Sequence, residues 1–225
     1  MFSHILNVRY VYLAIDMIAF QKFEKSYGSK LIVKADVQLD ENFYWLKGGN
    51  GVGKSTLLKS VAGLIPYNGH ILFNGLDIRN DRVAYRNAVS YAEAEPLYAE
   101  FLTGHDLIAF YRDCRNGDVQ QAEMLIDTMQ VGGYLHQKTG TYSSGMLKKL
   151  SLVLAFIGRP QLIMLDEPFI TIDTNGLQQL GVLVKQALKN NVTVWITSHQ
   201  QVLLDTGMQP AMLEIKECEL LKTGI

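Results

Sequence analysis

Gly48-Gly49-Asn50-Gly51-Val52-Gly53-Lys54-Ser55 decides the fold. The run fits the pattern G-x-x-x-x-G-K-[ST], in which glycines let the main chain curl until successive N–H groups point at phosphate oxygens. Its flanks are the ones such a loop needs. Phe43–Lys47, just before it, is a short aromatic-rich run that reads as a buried strand. Just after it, Lys54–Leu64 carries Leu57, Leu58, Val61 and Leu64 at helical spacing, and Pro66 is expected to stop that helix. A loop that opens a helix adds the positive end of the helix dipole to the site. Gly48, Asn50, Gly51, Val52, Gly53, Lys54, Ser55 and Thr56 form the candidate nucleotide-binding set. Lys54 supplies a mobile charge to the β- and γ-phosphates, and Ser55 offers a hydroxyl to Mg²⁺.

Further along, Leu162-Ile163-Met164-Leu165 is a continuous apolar run, as expected of a strand covered on both faces, and it ends in Asp166-Glu167-Pro168. Asp166 at the strand's end is the candidate metal-holding carboxylate. Glu167, one residue on, is placed to orient or deprotonate an attacking water. Val192–Ile196 is a second β-branched run and leads into Thr197-Ser198-His199. A histidine at the carboxyl end of a buried strand stands on the same sheet edge as Asp166, which makes His199 a third catalytic candidate beside Glu167 and Lys54. Tyr142-Ser143-Ser144-Gly145-Met146 precedes a helical pattern. Small residues at a helix start make a second anion site, and Ser143, Ser144 and Gly145 are its candidates. A chain binding one nucleotide has no evident use for two such sites, unless the second serves another subunit's γ-phosphate.

The remaining pattern alternates apolar strands with helices, which implies an α/β fold with a parallel sheet covered by helices. Ile18–Lys25 fits an edge strand, Asn68-Gly69 a tight turn, Ile71–Phe73 a strand ended by Asn74-Gly75, and Ala211–Ile215 with Glu219–Lys222 a closing strand pair. Leu107–Tyr111, Val119–Met129 and Met146–Ile157 are helical patterns, so the stretch 90–157 reads as a helical insertion in a core made of 17–89 and 158–225. Gly176–Asn190 is a further helix. Met17 is read as the usual start of synthesis, with Met1–Asp16 an upstream extension.

Phosphate loop, helical insertion with Ser-Ser-Gly-Met, Leu-Asp-Glu-Pro, Ile-Asp and Thr-Ser-His, in that order, resemble the ATP-binding cassette family from about Met17 to the end, in the compact form of bacterial export-type ATPase subunits. The resemblance implies a phosphate-loop core with N-terminal antiparallel strands and an inserted helical subdomain. It also implies two cassettes that sandwich two ATP molecules head to tail, as a homodimer, each phosphate loop facing the partner's Tyr142–Met146 segment. Ser143 and Gly145 match the positions that touch the γ-phosphate across the interface, Thr171-Ile172-Asp173 the loop linking the two sites, His199 the switch histidine, and Tyr27 the aromatic that stacks on adenine. Three departures stand out: Ser144 for a usual glycine, Met146 for a frequent glutamine, and Ala94 where the family places a metal-contacting glutamine, with Glu93 and Glu95 beside it.

Composition narrows the role. Twenty-one basic against 22 acidic residues give a net charge of −1, which does not advertise nucleic acid as a partner. Two cysteines, Cys114 and Cys218, lie in no ligand-like spacing. No stretch of about 18 residues is free of charge, so a membrane would be met through a partner. The expected function is the ATP-binding and ATP-hydrolysing subunit of a transporter, peripheral on the cytoplasmic face of the inner membrane through a transmembrane permease. Pro96–Leu107 is the expected contact, with Leu97, Tyr98, Phe101 and Leu102 in it. A soluble or regulatory cassette ATPase with slow turnover is the alternative left open by Ala94 and Ser144.

Overall fold

The computed structural model describes residues 18–199 and 204–223. The expected extension 1–16 and the start at Met17 lie outside the described residues. Among those described, one ten-stranded sheet runs through the molecule in the order β5-β4-β1-β2-β10-β9-β3-β8-β7-β6. Its strands are β1 (Ile18–Tyr27), β2 (Lys30–Leu39), β3 (Phe43–Lys47), β4 (Asn68–Phe73), β5 (Leu76–Asp77), β6 (Val89–Ala92), β7 (Leu162–Leu165), β8 (Thr193–Ser198), β9 (Ala211–Lys216) and β10 (Glu219–Thr223). The helices are α1 (Lys54–Val61), α2 (Arg82–Ala88), α3 (Gly104–Cys114), α4 (Val119–Met129), α5 (Ser144–Phe156) and α6 (Thr174–Lys189).

The sheet has two characters. Strands β9, β3, β8, β7 and β6 are parallel neighbours. Strands β2, β1, β4 and β5 pair antiparallel. The parallel part is covered on both faces, and side-chain alternation sorts each strand between two cores. Leu162 and Met164 of β7, with Trp195 of β8 and Tyr44 and Leu46 of β3, join Leu57, Leu58 and Val61 of α1 under the antiparallel strands. Ile163 and Leu165, with Val194 and Ile196, face the opposite core with α5, α6 and the helical stretch.

Several expectations shift. β1 is an interior strand, paired to β2 on one side and β4 on the other, because Ile18, Phe20 and Phe23 are all fully buried. Asn68-Gly69 opens β4 instead of making a turn. Gly69 sits at φ +77°, and a Cβ there would lie 2.0 Å from the Lys22 carbonyl oxygen where β1 bulges against β4. The turn is made at Asn74-Gly75, with φ of 51° and 79°. α1 ends before Pro66, at a Schellman turn in which Gly63 N–H donates to Ser60 O (3.0 Å) and Leu64 N–H to Lys59 O (2.9 Å). Ser90–Ala92, assigned to the helical insertion from sequence, belong to the sheet as β6, pairing with β7.

Candidate functional site

The carboxyl ends of β3, β7 and β8 lie side by side, with Lys47 opposite Ser198 and Leu165 opposite Ile196. The chain leaves these ends as the 48–53 loop, the Asp166-Glu167 pair and His199. Brought together there, the candidate groups touch.

Lys54 begins α1 and is 6% exposed. Its ammonium donates to the carbonyls of Gly48 (2.8 Å) and Gly49 (3.0 Å) and lies 3.2 Å from Glu167 Oε1. His199 donates from Nδ1 to Gly48 O at 3.1 Å, since a carbonyl can only accept, and its Nε2 lies 3.2 Å from the same Glu167 oxygen. One carboxylate oxygen is thus met from two sides, by the phosphate-loop lysine and by the histidine. The pattern of motifs predicted that these residues share a sheet edge; the structure gives their mutual contact.

The loop is built to receive an anion. Gly53, the N-cap of α1, sits at φ +111°, where a Cβ would approach Ile32 Cγ2 at 3.0 Å; only glycine takes that conformation without strain. No side chain caps α1, unlike α3, α4, α5 and α6. Its first N–H groups are therefore available to a phosphate. The two carbonyls that hold Lys54 present the kind of oxygen donor that phosphate oxygens can replace. Ser55 follows Lys54 and Asp166 precedes Glu167 along the chain, so the two candidate oxygen ligands for Mg²⁺ flank the residues of the Lys54–Glu167 contact.

Asp166 is buried and held at both oxygens: Thr197 Oγ1 donates to Oδ1 (2.7 Å) and Tyr91 OH to Oδ2 (3.0 Å). Burial, then the Asp166 charge, pushes the Tyr91 phenol far above its ordinary value, so it remains a donor. Thr197 Oγ1 also accepts from the Glu167 N–H at 2.8 Å. That bond supports Glu167 at φ +43°, a left-handed conformation that costs a non-glycine residue about 1–3 kcal/mol. The threonine stood in a quoted motif without a role. Tyr91 fell in the stretch read from sequence as helical insertion, and its strand position and carboxylate partner appear only in the structure.

Lys148 was missed entirely. It is 1% exposed on α5, and its ammonium donates to the carbonyls of Glu93 (2.8 Å), Ala94 (2.9 Å) and Asp166 (2.9 Å). Burial lowers its ammonium to about 8 against the opposing pull of Asp166 and Glu167.

The second anion candidate sits at the start of α5. Ser143 is the N-cap, its Oγ accepting from Met146 N–H at 3.2 Å. Ser144 is the first helical residue, so the serine found there needs no glycine conformation. At Gly145 a Cβ would lie 2.8 Å from Thr171 O, so the absence of a side chain lets the 167–173 loop approach α5. Tyr142 is buried, donates to Tyr134 O at 2.9 Å and meets the Tyr134 ring edge-on. Asp173 caps α6 through Gly176 N–H (2.7 Å) and pairs with Lys149 at 3.2 Å. Tyr27, at the end of β1, is 55% exposed with the Lys25 ammonium 4.4 Å from its ring centroid. Glu93, one of the two acids beside Ala94, turns its carboxylate to Lys59 at 3.6 Å.

A glycine-rich loop joining a strand to a helix, with an Asp-Glu pair at the end of a parallel strand and a histidine beside it, defines a phosphate-loop nucleoside triphosphatase. Residues 33–170 match the family model described as ABC transporter, and the chain belongs to that family as an ATP-binding, ATP-hydrolysing nucleotide-binding domain. It is 31% identical over 201 residues to the cytochrome c biogenesis ATP-binding export protein CcmA of Albidiferax ferrireducens, covering 87% of this chain and 95% of that one. It is 28% identical to the lantibiotic transport ATP-binding protein SrtF of Streptococcus pyogenes, over 81% of this chain and 80% of that one. A solved ATP binding subunit of an ABC transporter superposes with a TM-score of 0.81 over 93% of this chain and 90% of that one, at 20% identity, a likeness of fold. The expected fold and reaction class stand. Among the described residues no helix is long and apolar enough to cross a membrane.

Proposed function

We propose that this chain is the ATPase subunit of a bacterial export-type transporter, working as a head-to-tail homodimer on the cytoplasmic face of a membrane permease. The observation that carries the catalytic part is the convergence of Lys54 and His199 both on Glu167 and on the Gly48 carbonyl. Glu167 orients and deprotonates a water for in-line attack on the γ-phosphorus of ATP. The bond from that phosphorus to the bridging oxygen breaks, and ADP leaves with the electron pair. Lys54 and the main-chain N–H groups at the start of α1 hold the outer phosphates as charge shifts toward the leaving oxygen. His199 keeps the Glu167 carboxylate in register with the loop. Ser55 and Asp166 are the residues that hold Mg²⁺, which when bound neutralises phosphate charge.

Tyr27 offers an exposed aromatic face for adenine, and its other face rests on Lys25. Ser143, Ser144 and Gly145 at the start of α5 serve the partner's γ-phosphate, which gives the second anion site a use. The permease meets the groove beside β6 and α3, lined by Leu64, Val83, Leu97, Tyr98 and Tyr111, of about 530 Å³. Leu97, which lines the groove, is 89% exposed, and Phe101, four residues on, is 72% exposed. The name of CcmA, an export protein, supports export, and that of SrtF supports transport.

The dimer is tested by sedimentation of Glu167→Gln with saturating Mg–ATP. A shift to twice the protomer mass, absent with Mg–ADP, is the expected result. A monomer that binds ATP stoichiometrically, alone and with its co-purified membrane partner, contradicts it.

A further inference from the structure

Lys148 is an ammonium with no exposed surface to speak of, and among the described residues no carboxylate pairs with it. All three of its donors go to main-chain carbonyls, at 2.8–2.9 Å. Those carbonyls belong to two different pieces of the molecule. Glu93 and Ala94 follow β6, where the chain leaves the sheet for the helical stretch. Asp166 follows β7 and directly precedes Glu167. The lysine itself stands in the first turns of α5, five residues after the Ser143 cap. One side chain therefore bolts the start of α5 to the exit of β6 and to the Asp-Glu pair.

A buried ammonium is a poor device for stability alone. Its desolvation cost is high, and an apolar side chain of similar length avoids that cost while leaving three carbonyls without this donor. What an apolar side chain cannot do is fix three carbonyls relative to one another. Asp166 makes the point sharply. Its carboxylate is already held by Thr197 and Tyr91 from the sheet. Its carbonyl is the group held from the helical side, and this is the peptide whose N–H, at Glu167, rests on Thr197. The peptide between Asp166 and Glu167 is thus gripped at both ends, by Lys148 from α5 and by Thr197 from β8. Its plane determines where the Glu167 carboxylate points, at the residue whose φ is already left-handed.

We propose that Lys148 is a positioning residue for ATP hydrolysis, a three-point tie that makes the orientation of the Asp166–Glu167 peptide depend on where α5 sits. The inference rests on hydrolysis at that Asp-Glu pair. Lys148 acts through the peptide, since its three hydrogen bonds all go to main-chain carbonyls. Its effect falls on turnover, not on nucleotide affinity, because the groups that grip phosphate belong to the 48–56 segment.

The test uses the full chain and four proteins: wild type, Lys148→Met, Lys148→Arg and Glu167→Gln. Steady-state hydrolysis gives kcat and KM, equilibrium titration gives ATP affinity, and thermal melting gives the midpoint. Lys148→Met is expected to lower kcat at least about tenfold with ATP affinity within about threefold of wild type. Lys148→Arg, which restores a cation with several donors, is expected to recover kcat to within about threefold. A Lys148→Met protein that turns over at the wild-type rate overturns the proposal. So does a parallel loss of kcat, ATP affinity and midpoint in both variants, since that is the behaviour of a packing defect. If Lys148→Met does not fold, Lys148→Arg decides: wild-type kcat supports the tie, and a folded arginine variant with kcat and affinity lost together overturns it. Failure of the underlying reading is separate, because it shows as wild-type turnover in Glu167→Gln.

Discussion

Glu167 is held where it is by four neighbours that reach it from different parts of the chain: Lys54 from α1, His199 from the end of β8, Thr197 through the main-chain N–H, and Lys148 through the preceding carbonyl. Two substitutions separate these supports. Lys54→Ala removes the ammonium that holds the Gly48 and Gly49 carbonyls and, in the proposed function, the outer phosphates, and is expected to weaken ATP binding at least about tenfold, about 1.4 kcal/mol, by equilibrium titration. Thr197→Val keeps the shape but deletes the hydroxyl that donates to Asp166 and accepts from Glu167. Leaving a buried carboxylate oxygen and an N–H unsatisfied costs about 1–3 kcal/mol, measurable by denaturant unfolding, and turnover should fall with it. An unfolding midpoint equal to wild type would contradict that account. At this scale the sequence was informative about which residues meet at one sheet edge, because Lys54, Asp166, Glu167 and His199 sit in fixed short patterns. It was silent on Lys148 and Tyr91. A lysine in a helix and a tyrosine in a strand become special only through the distant carbonyl or carboxylate they meet.

Between residue and molecule stand the junctions where elements cross closely. At Gly69 a Cβ would meet the Lys22 carbonyl oxygen at 2.0 Å, and the residue is also at φ +77°. Gly69→Ala must therefore part β4 from the β1 bulge. A loss of about 2 kcal/mol or more in unfolding free energy is expected, with the sheet's circular dichroism retained at low temperature. From sequence, Asn68-Gly69 reads as a turn because that dipeptide favours positive φ. The preference was real but was spent on strand approach, and the turn fell to Asn74-Gly75 six residues on. The strands of the parallel core were far more legible. Leu162–Leu165 was located from its unbroken apolar run, because a strand covered on both faces has no solvent side to dilute the pattern. β1 misled for the converse reason: polar residues at Gln21, Lys22 and Glu24 break its alternation at the bulge, so an interior strand reads as an edge.

For the molecule as a whole, the sheet edge that collects Lys54, Glu167 and His199 is joined through α5 and β6 to an exposed apolar groove. In the proposed function this joins the nucleotide site to the permease contact. Leu97→Asp with Phe101→Asp is expected to abolish co-purification with membranes while the melting midpoint stays at the wild-type value; unchanged membrane recovery would place the partner elsewhere. The order of motifs made the overall architecture legible, since each motif marks a strand end and their sequence fixes which strands share an edge. The antiparallel strands and the exact reach of the helical stretch were less so, because short half-buried strands and loop exits carry no fixed pattern. The central claim is that this chain hydrolyses ATP through Glu167, and phosphate release from Mg–ATP by wild type and Glu167→Gln, at matched concentration and saturating nucleotide, tests it most directly. The account predicts release by the wild type and a fall of at least about a hundredfold in the variant with ATP binding retained, whereas equal rates would mean that the hydrolysis measured is not the work of this site.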